Sequence, residues 1–564
     1  SANNQVSAFI RDDIQRSFDI QYPNLPQQNR ARLVEEEFQK AILQPSYTLR
    51  TGSQQGQSFS VAQQRAAIAN DFRSFFQYEA NGRSYTYMPD IDPYTYLRWA
   101  RNYLATGDIA DERRNGVAYD NHMVAPLGAP IDDTIHPYVL AWTYRVMSLF
   151  NGKITLMQAA GYFPVIMIAL SVIPVYFIGR RFGGTTAGFF AATIFGINAA
   201  LLGRTNWGHA DTDAYNVFFP VLILWLFLEA YYHKSLKARL ALIGGAGLAT
   251  GLFAVTWSGW WYIFDFVLAV GAGYLIYLLW FHRRQLTQGI NVFLQTPDLR
   301  QHVSLVLGYI IAAGIFVSLF ISFNSFLGAP LQPFDFVSIK DAAKISLFPN
   351  VLTTVAELNE ASLEQVIDQM GHATFGGISF FAIAVLGLFL LALPREKYSW
   401  RELLYLLGGL IYYWIIISSI NRFSPVTFII LFALPIVVLV LREALRGICT
   451  FDIKLVLFLV LWFMATMYAS TKGIRFVMLL VPAFSIAFGV GIGLATQALS
   501  RLAHQSVKIP HNVTASIIIV LFVLVLAGPA QQVAASSAND LPIINDAWYN
   551  TLTSIRDASK PVAI

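Results

Sequence analysis

Arg204-Thr205-Asn206-Trp207-Gly208-His209-Ala210-Asp211-Thr212-Asp213-Ala214-Tyr215-Asn216 lies between two long apolar runs. That position makes it a loop at a membrane edge, and it carries two carboxylates with a single residue between them. The spacing suits a hard divalent cation such as Mg2+ or Mn2+, which prefers oxygen ligands. A doubly acidic cluster pressed against a bilayer is costly unless something binds it. Either aspartate alone is explained as readily as the cap of a helix starting near Ala214. The meaning of the loop therefore depends on what the rest of the chain brings to it.

The chain has 564 residues, of which 55% are hydrophobic and 13% charged. Its mean hydropathy is +0.50. A soluble globular protein has no use for that much apolar sequence, so the expected class is an all-α polytopic membrane protein embedded in a lipid bilayer. The formal net charge of +5 is modest, and most basic residues fall in loops between apolar runs. That pattern reports membrane orientation and gives no sign of nucleic-acid binding. Cys449 is the only cysteine, which excludes an intramolecular disulfide. The chain opens at Ser1 with a polar segment, and at least one transmembrane helix is expected to precede it.

Residues 1–150 read as a polar segment with helical stretches at Arg30–Leu43 and Val61–Phe76. They also contain a second acid pair, in Asp90-Ile91-Asp92-Pro93-Tyr94, and an amphipathic stretch ending near Phe150. Twelve apolar spans follow, at about 154–179, 185–203, 214–233, 238–256, 259–281, 303–323, 374–393, 402–420, 424–441, 453–470, 474–496 and 513–533. Very short connections between several of them force antiparallel neighbours and a helical bundle. Alternate loops hold Arg180 and Arg181, Lys234 to Arg239, Arg283 and Arg284, Arg395 to Arg401, Arg442 to Lys454, and Arg501 with Lys508. The opposite loops hold few cations. By the positive-inside rule the first set faces the cytoplasm. Residues 1–150, the 204–213 loop, the long 324–372 loop and the tail 536–564 then lie outside, with the bundle over 151–535. Asp92, Asp211, Asp213 and Glu357 come from three separate loops, and all three are external. A metal-dependent enzyme at the outer surface needs that arrangement; a channel does not.

These motifs resemble those of the catalytic subunit of oligosaccharyltransferase (the STT3/AglB/PglB family) in its archaeal form. Asp90-Ile91-Asp92 is similar to that family's first acidic motif, Arg204 to Asp213 to its second, and Thr354-Val355-Ala356-Glu357 to its T-I-x-E motif with Val for Ile. Thr471 to Phe476 opens a span as the family's phosphate-binding arginine does. The resemblance implies a GT-C-type glycosyltransferase bundle of about twelve transmembrane helices, thirteen with the presumed first one. It implies transfer of a preassembled oligosaccharide from a polyprenyl (dolichyl) phosphate or pyrophosphate to the Asn side chain of an Asn-x-Ser/Thr polypeptide, by a metal-dependent, inverting displacement. It assigns Asp92, Asp211, Asp213 and Glu357 to a Mn2+ or Mg2+ ion, with Asp92 and Glu357 catalytic as well. Thr354 would touch the acceptor, and Arg475, Arg204 and Arg422 the lipid-linked phosphate. A single-subunit enzyme of the plasma membrane is expected, its active site on the external face. The family's W-W-D-x-G signature is absent; Trp260-Trp261 is followed by Tyr262. The chain is therefore expected to be a membrane part, cut at both ends, that lacks the soluble sequon-reading domain.

Other readings compete. Arg475 alone could snorkel from a helix end, His209 could be a neighbour of the acids and not a ligand, and His136 before Pro137 reads as structural. An alternative enzyme is another polyprenyl-phosphate-sugar-dependent glycosyltransferase acting on Ser/Thr, lipid or glycan. A cation-coupled transporter would carry acids near the midplane; the spans are nearly free of them, Asp265 and Glu229 being the main candidates, with Glu229 near a cytoplasmic end.

Overall fold

The computed structural model describes residues 2–53, 55–124, 127–131, 134–288, 295–337, 355–371, 374–375, 378–393, 400–446, 450–538 and 540–558. The chain forms two compact units. The smaller comprises Ser1–Ile91, Asn151–Gln158 and Leu541–Ile564. In it α1 (Ala2–Gln21) and α2 (Gln27–Ile42) present apolar residues at helical spacing: Val6, Ile10 and Ile14 pack with Val34, Phe38 and Ala41. A third helix, α3 (Val61–Ser74), starts at Ser60, whose side chain accepts the Gln63 N–H. Buried Asp13 accepts from the Tyr47 hydroxyl at 2.9 Å and from the Arg50 and Thr51 amides at 2.8 and 3.0 Å, so the loop after α2 is clamped to α1. Two short antiparallel pairs, Ser46–Thr48 with Ser58–Ser60 and Gln77–Ala80 with Arg83–Thr86, add small sheets to this mainly helical unit.

The larger unit comprises Asp92–Phe150 and Ala159–Asp540. It opens with α4 (Pro93–Thr106) and α5 (His136–Phe150). The membrane helices are α6 (Leu156–Gly196), α8 (Tyr215–Tyr232), α9 (Leu236–Thr256), α10 (Trp261–Phe281) and α11 (Pro297–Phe320). They continue with α12 (Phe380–Leu391), α13 (Trp400–Ser418), α14 (Pro425–Arg446), α15 (Ile453–Lys472), α16 (Val477–Val507) and α17 (His511–Ala538). The short α7 (Ala199–Thr205) joins α6 to the loop before α8. Among the described residues nine helical segments are long and apolar enough to cross a membrane, and the chain is a multi-pass membrane protein.

The 41-residue α6 is a hairpin, not one helix. Gly184 has φ of 84°, a conformation that side chains disfavour. A methyl group on Gly179 would sit 2.9 Å from the Ala191 Cβ, which requires the chain to reverse between them. Counting that hairpin as two, and adding the shorter apolar helices Phe380–Leu391 and Leu404–Ser418, each of the twelve expected spans contains an apolar helix among the described residues.

Several boundaries differ from expectation; α16, for one, runs on to Val507, past the expected end near 496. The run over 374–393 is helical only from Phe380, because Ser379 caps the helix by accepting the Ala382 N–H. The run over 185–203 stops at Gly196, and Asn198 starts α7 by accepting the Leu201 N–H at 3.2 Å.

The core of the larger unit lies around α16, buried without interruption from Val477 to Leu494. Its small residues let backbones touch. A methyl on Gly491 would lie 2.5 Å from the Ile383 carbonyl oxygen of α12, and one on Gly493 would lie 2.6 Å from the Ala187 Cβ of α6. Without a hydrophobic drive between helices in lipid, such close packing holds the bundle together. A methyl on Gly387 would run into the Ala487 carbonyl, whereas Gly528 has open space around it. Gly387→Val is therefore expected to cost about 3 kcal/mol, and Gly528→Val under about 0.5 kcal/mol, in thermal unfolding in detergent.

Candidate functional site

The 204–216 stretch is pinned from several sides. Trp207 covers Gly161, where a methyl group would lie 2.6 Å from the indole, and the Gly208 N–H donates to the Gly161 carbonyl at 3.0 Å. Asn206 and His209 both reach Asp540 Oδ2, at 3.0 and 3.1 Å. Asp211 then caps a short 3-10 turn, Thr212–Ala214, by accepting the Thr212 N–H at 2.6 Å. The capping role is thus real, but it occupies only one oxygen of one of the two acids.

Asp213, 4% exposed, is the node of the site. Its Oδ1 accepts from Arg475 Nη2 at 3.0 Å, and its Oδ2 faces Arg204 Nη1 at 3.4 Å. The other end of the Arg204 guanidinium meets Glu357 Oε2 at 2.9 Å. Glu357 stands on the turn Ala356–Leu358. That segment is stitched to the turn before α16: the Ala361 N–H donates to the Thr471 carbonyl at 3.1 Å, and the Ile474 N–H to the Asn359 carbonyl at 3.3 Å. Two backbone bonds therefore place Glu357 and Arg475 side by side although more than a hundred residues separate them in the sequence.

Asp92 occupies the position before Pro93 at the start of α4, and its side chain makes no capping bond there. Its charge reaches the loop acids. Burial, the Asp213 charge and the Asp92 charge together push the Asp211 carboxyl up to about 6. Tyr96, one turn along α4, is pushed up to about 12 by burial and then by Asp211, Asp92 and Asp213. Crowded carboxylates raise each other in this way when the cations present do not balance them.

The structure thus brings together Asp92, Asp211, Asp213, Glu357, Arg204 and Arg475. Arg422 stands exposed on the turn Ile420–Arg422 and makes no hydrogen bond or ion pair to the four acids. Thr354 lies outside the described residues. The acids do not close on a point: among the described residues, the only trio offering ligand atoms within 4.8 Å of one another is Asp111, Asp120 and His122. That trio is already served by Arg98, which bridges both carboxylates, and Trp99 donates to Asp120 at 2.8 Å. The donor set at the first site, carboxylate oxygens with one acid raised by its neighbours, fits a hard divalent cation.

Sequence reasoning passed over Asn216 and Tyr96 here and read His136 as structural. Asn216, 3% exposed, approaches Asp213 Oδ1 with its amide at 3.5 Å, and its own Oδ1 is buried without a partner. Tyr96 lines the acids. His136 is wholly buried; its Nε2 lies 2.9 Å from the Ala210 carbonyl oxygen and its Nδ1 lies 3.2 Å from the Tyr215 hydroxyl. Burial holds its imidazole down at about 4, so the ring is neutral. A single histidine before a proline gives no such signal in sequence.

Residues 59–528 match the family model described as "Oligosaccharyl transferase STT3, N-terminal". The chain belongs to the STT3 family. A relative from Methanococcus voltae named dolichyl-phosphooligosaccharide-protein glycotransferase is 27% identical over 470 residues, covering 80% of this chain and 46% of the relative. One of the same name from Methanocaldococcus jannaschii is 24% identical over 534 residues, covering 80% and 51%. This STT3 family member spans about half the length of these curated relatives. The structure of the oligosaccharyltransferase AglB from Archaeoglobus fulgidus, in complex with an inhibitory peptide and a dolichol-phosphate, overlaps with 88% of this chain and 57% of its own at 17% identity and a TM-score of 0.49.

Proposed function

We propose that the protein transfers a preassembled oligosaccharide from a dolichyl phosphate or pyrophosphate carrier to the Asn side chain of Asn-x-Ser/Thr sequons. The observation that carries this reading is the run Arg475–Asp213–Arg204–Glu357, built from three distant segments and flanked by Asp211 and Asp92. Membership of the STT3 family and the names of the two archaeal relatives support it. The enzyme acts as a single subunit in the plasma membrane, with residues 1–150, the 204–213 loop, the 324–372 loop and 536–564 outside.

Asp92, Asp211, Asp213 and Glu357 would hold a Mn2+ or Mg2+ ion. When bound, the ion supplies charge balance for the leaving phosphate. The remaining work falls to the chain. An amide nitrogen is a poor nucleophile because its lone pair is shared with the carbonyl; Asp92 and Glu357, accepting hydrogen bonds from the NH2 group, weaken that sharing. Arg475 clamps the phosphate with a planar fork of donors that matches its oxygens. Arg204 holds Asp213 and Glu357 in register, and by the family resemblance Thr354 would contact the acceptor and Arg422 the lipid-linked phosphate. The anomeric carbon inverts in a direct displacement.

The test uses the full-length protein, a dolichyl-linked oligosaccharide and an Asn-x-Thr peptide. Removing divalent metal with a chelator should lower transfer by about a hundredfold or more, and added Mn2+ or Mg2+ should restore it. Transfer that persists after chelation, or that proceeds equally to a peptide with Gln for the Asn, would sink the proposal.

A further inference from the structure

His136 is the first residue of α5 and reads in sequence as a structural histidine before Pro137. The structure gives it contacts to every element that carries the acids of the first two motifs. A backbone carbonyl can only accept, so the nitrogen facing Ala210, Nε2, must carry the proton and donate at 2.9 Å. Nδ1 is then an acceptor, and the Tyr215 hydroxyl donates to it at 3.2 Å. The tautomer is fixed by its partners, and neither ring nitrogen is left for another role. Ala210 directly precedes Asp211, and Tyr215 follows two residues after Asp213. The ring also meets Tyr96 edge-on at 4.7 Å and Phe163 at 5.0 Å. Tyr96 lies four residues after Asp92 in α4, so the two share a helix face. One imidazole therefore touches the Asp92 helix, the peptide before Asp211 and the helix after Asp213.

We propose that His136 is a positioning residue that sets the spacing between Asp92 and the Asp211–Asp213 pair. The inference rests on the reading of those acids as a cation site. It treats the histidine as more than core filling, because an apolar ring of similar size would fill the same space while leaving the Ala210 carbonyl and the Tyr215 hydroxyl unpaired. Groups that orient ligands without touching the ion act in this way.

The experiment measures Mn2+ binding directly, by the loss of the free-ion electron paramagnetic resonance signal, on full-length protein in detergent. His136→Phe keeps a ring and removes both hydrogen bonds. His136→Gln places an amide N–H near the Nε2 position, and His136→Asn is too short to reach it. Phe and Asn are expected to weaken Mn2+ binding by about tenfold or more, and Gln to restore it to within about threefold of wild type. The turnover rate of the Gln variant at saturating Mn2+ should stay close to wild type, so that the change reads as ion affinity and not as loss of fold. Wild-type affinity in His136→Phe overturns the proposal. Where that variant does not fold, the comparison of Asn with Gln decides, and equal affinity in the two overturns it. A wild-type protein that binds no Mn2+ removes the cation site itself, and this inference with it.

Discussion

Asp211→Asn is expected to make the metal-free protein more heat-stable at neutral pH while removing transfer. The Asp211 carboxyl is raised from the ordinary 3.8 to about 6, by burial first and then by Asp213 and Asp92. A carboxyl raised on folding is one the folded state would keep protonated. The unfolded chain ionises it near the ordinary value. Its ionisation therefore weakens the fold progressively as pH rises from about 4 to about 6, and fully above that. Asparagine has nearly the same shape and no charge. After discounting for partial exposure, the gain near neutral pH should be about 1–2 kcal/mol; it should shrink through mild acid as pH falls below about 6 and vanish only below about 4, where folded and unfolded chains are both protonated. Loss of a charged oxygen from the site should lower transfer by roughly 10²–10³-fold. Added Mn2+ should raise the melting temperature of wild type but much less that of the variant, because only a ligand that binds the folded state stabilises it. Thermal scans with and without a chelator, at neutral and mildly acidic pH, check all of this. A variant that melts below metal-free wild type at neutral pH would mean that the carboxylates are not crowded as the structure places them.

Much of the architecture was legible because lipid imposes simple rules. Apolar runs become helices, and the gap between the expected spans 154–179 and 185–203, with Arg180 and Arg181 in it, falls at the reversal inside α6. The acid-x-acid spacing at 211–213 was visible although either aspartate alone reads as readily as a helix cap, and Glu357 was legible through the resemblance of its segment to the T-I-x-E motif. What sequence could not give was partnership. Arg204, Arg422 and Arg475 look alike in a string of letters, each a cation at a helix end. In the structure Arg475 Nη2 reaches Asp213 Oδ1 at 3.0 Å, and the backbone bonds between 359–361 and 471–474 bring Glu357 beside it, while Arg422 sits at the turn whose Asn421 bonds Glu364 at 3.0 Å. His136 was read as structural for the same reason. Its neighbours, Tyr96, Ala210 and Tyr215, come from three separate elements, and no local pattern relates them.

Arg475→Ala and Arg475→Lys should separate the two tasks placed on that arginine. Toward Asp213 it is a counter-charge, in a place where the carboxylate is buried and one further cation, Arg204, stands at the longer distance of 3.4 Å. Toward the lipid-linked substrate it is a fork of donors for phosphate oxygens. Alanine removes both. Breaking a buried pair from one side leaves the other charge uncompensated, at about 3–5 kcal/mol in the fully buried limit. Arg204 softens that, so a fall of about 2 kcal/mol in stability is expected, with transfer down by roughly 10²–10³-fold. Lysine restores the charge as a single point without the planar fork. It should recover most of the stability and leave a donor-side defect: a KM for the lipid-linked oligosaccharide raised by about tenfold, with the peptide KM unchanged. Snorkelling alone makes the opposite forecast. A residue that merely carries its charge to the interface is replaced by lysine at no loss, so wild-type donor kinetics in Arg475→Lys would return Arg475 to that role and leave the phosphate without its clamp.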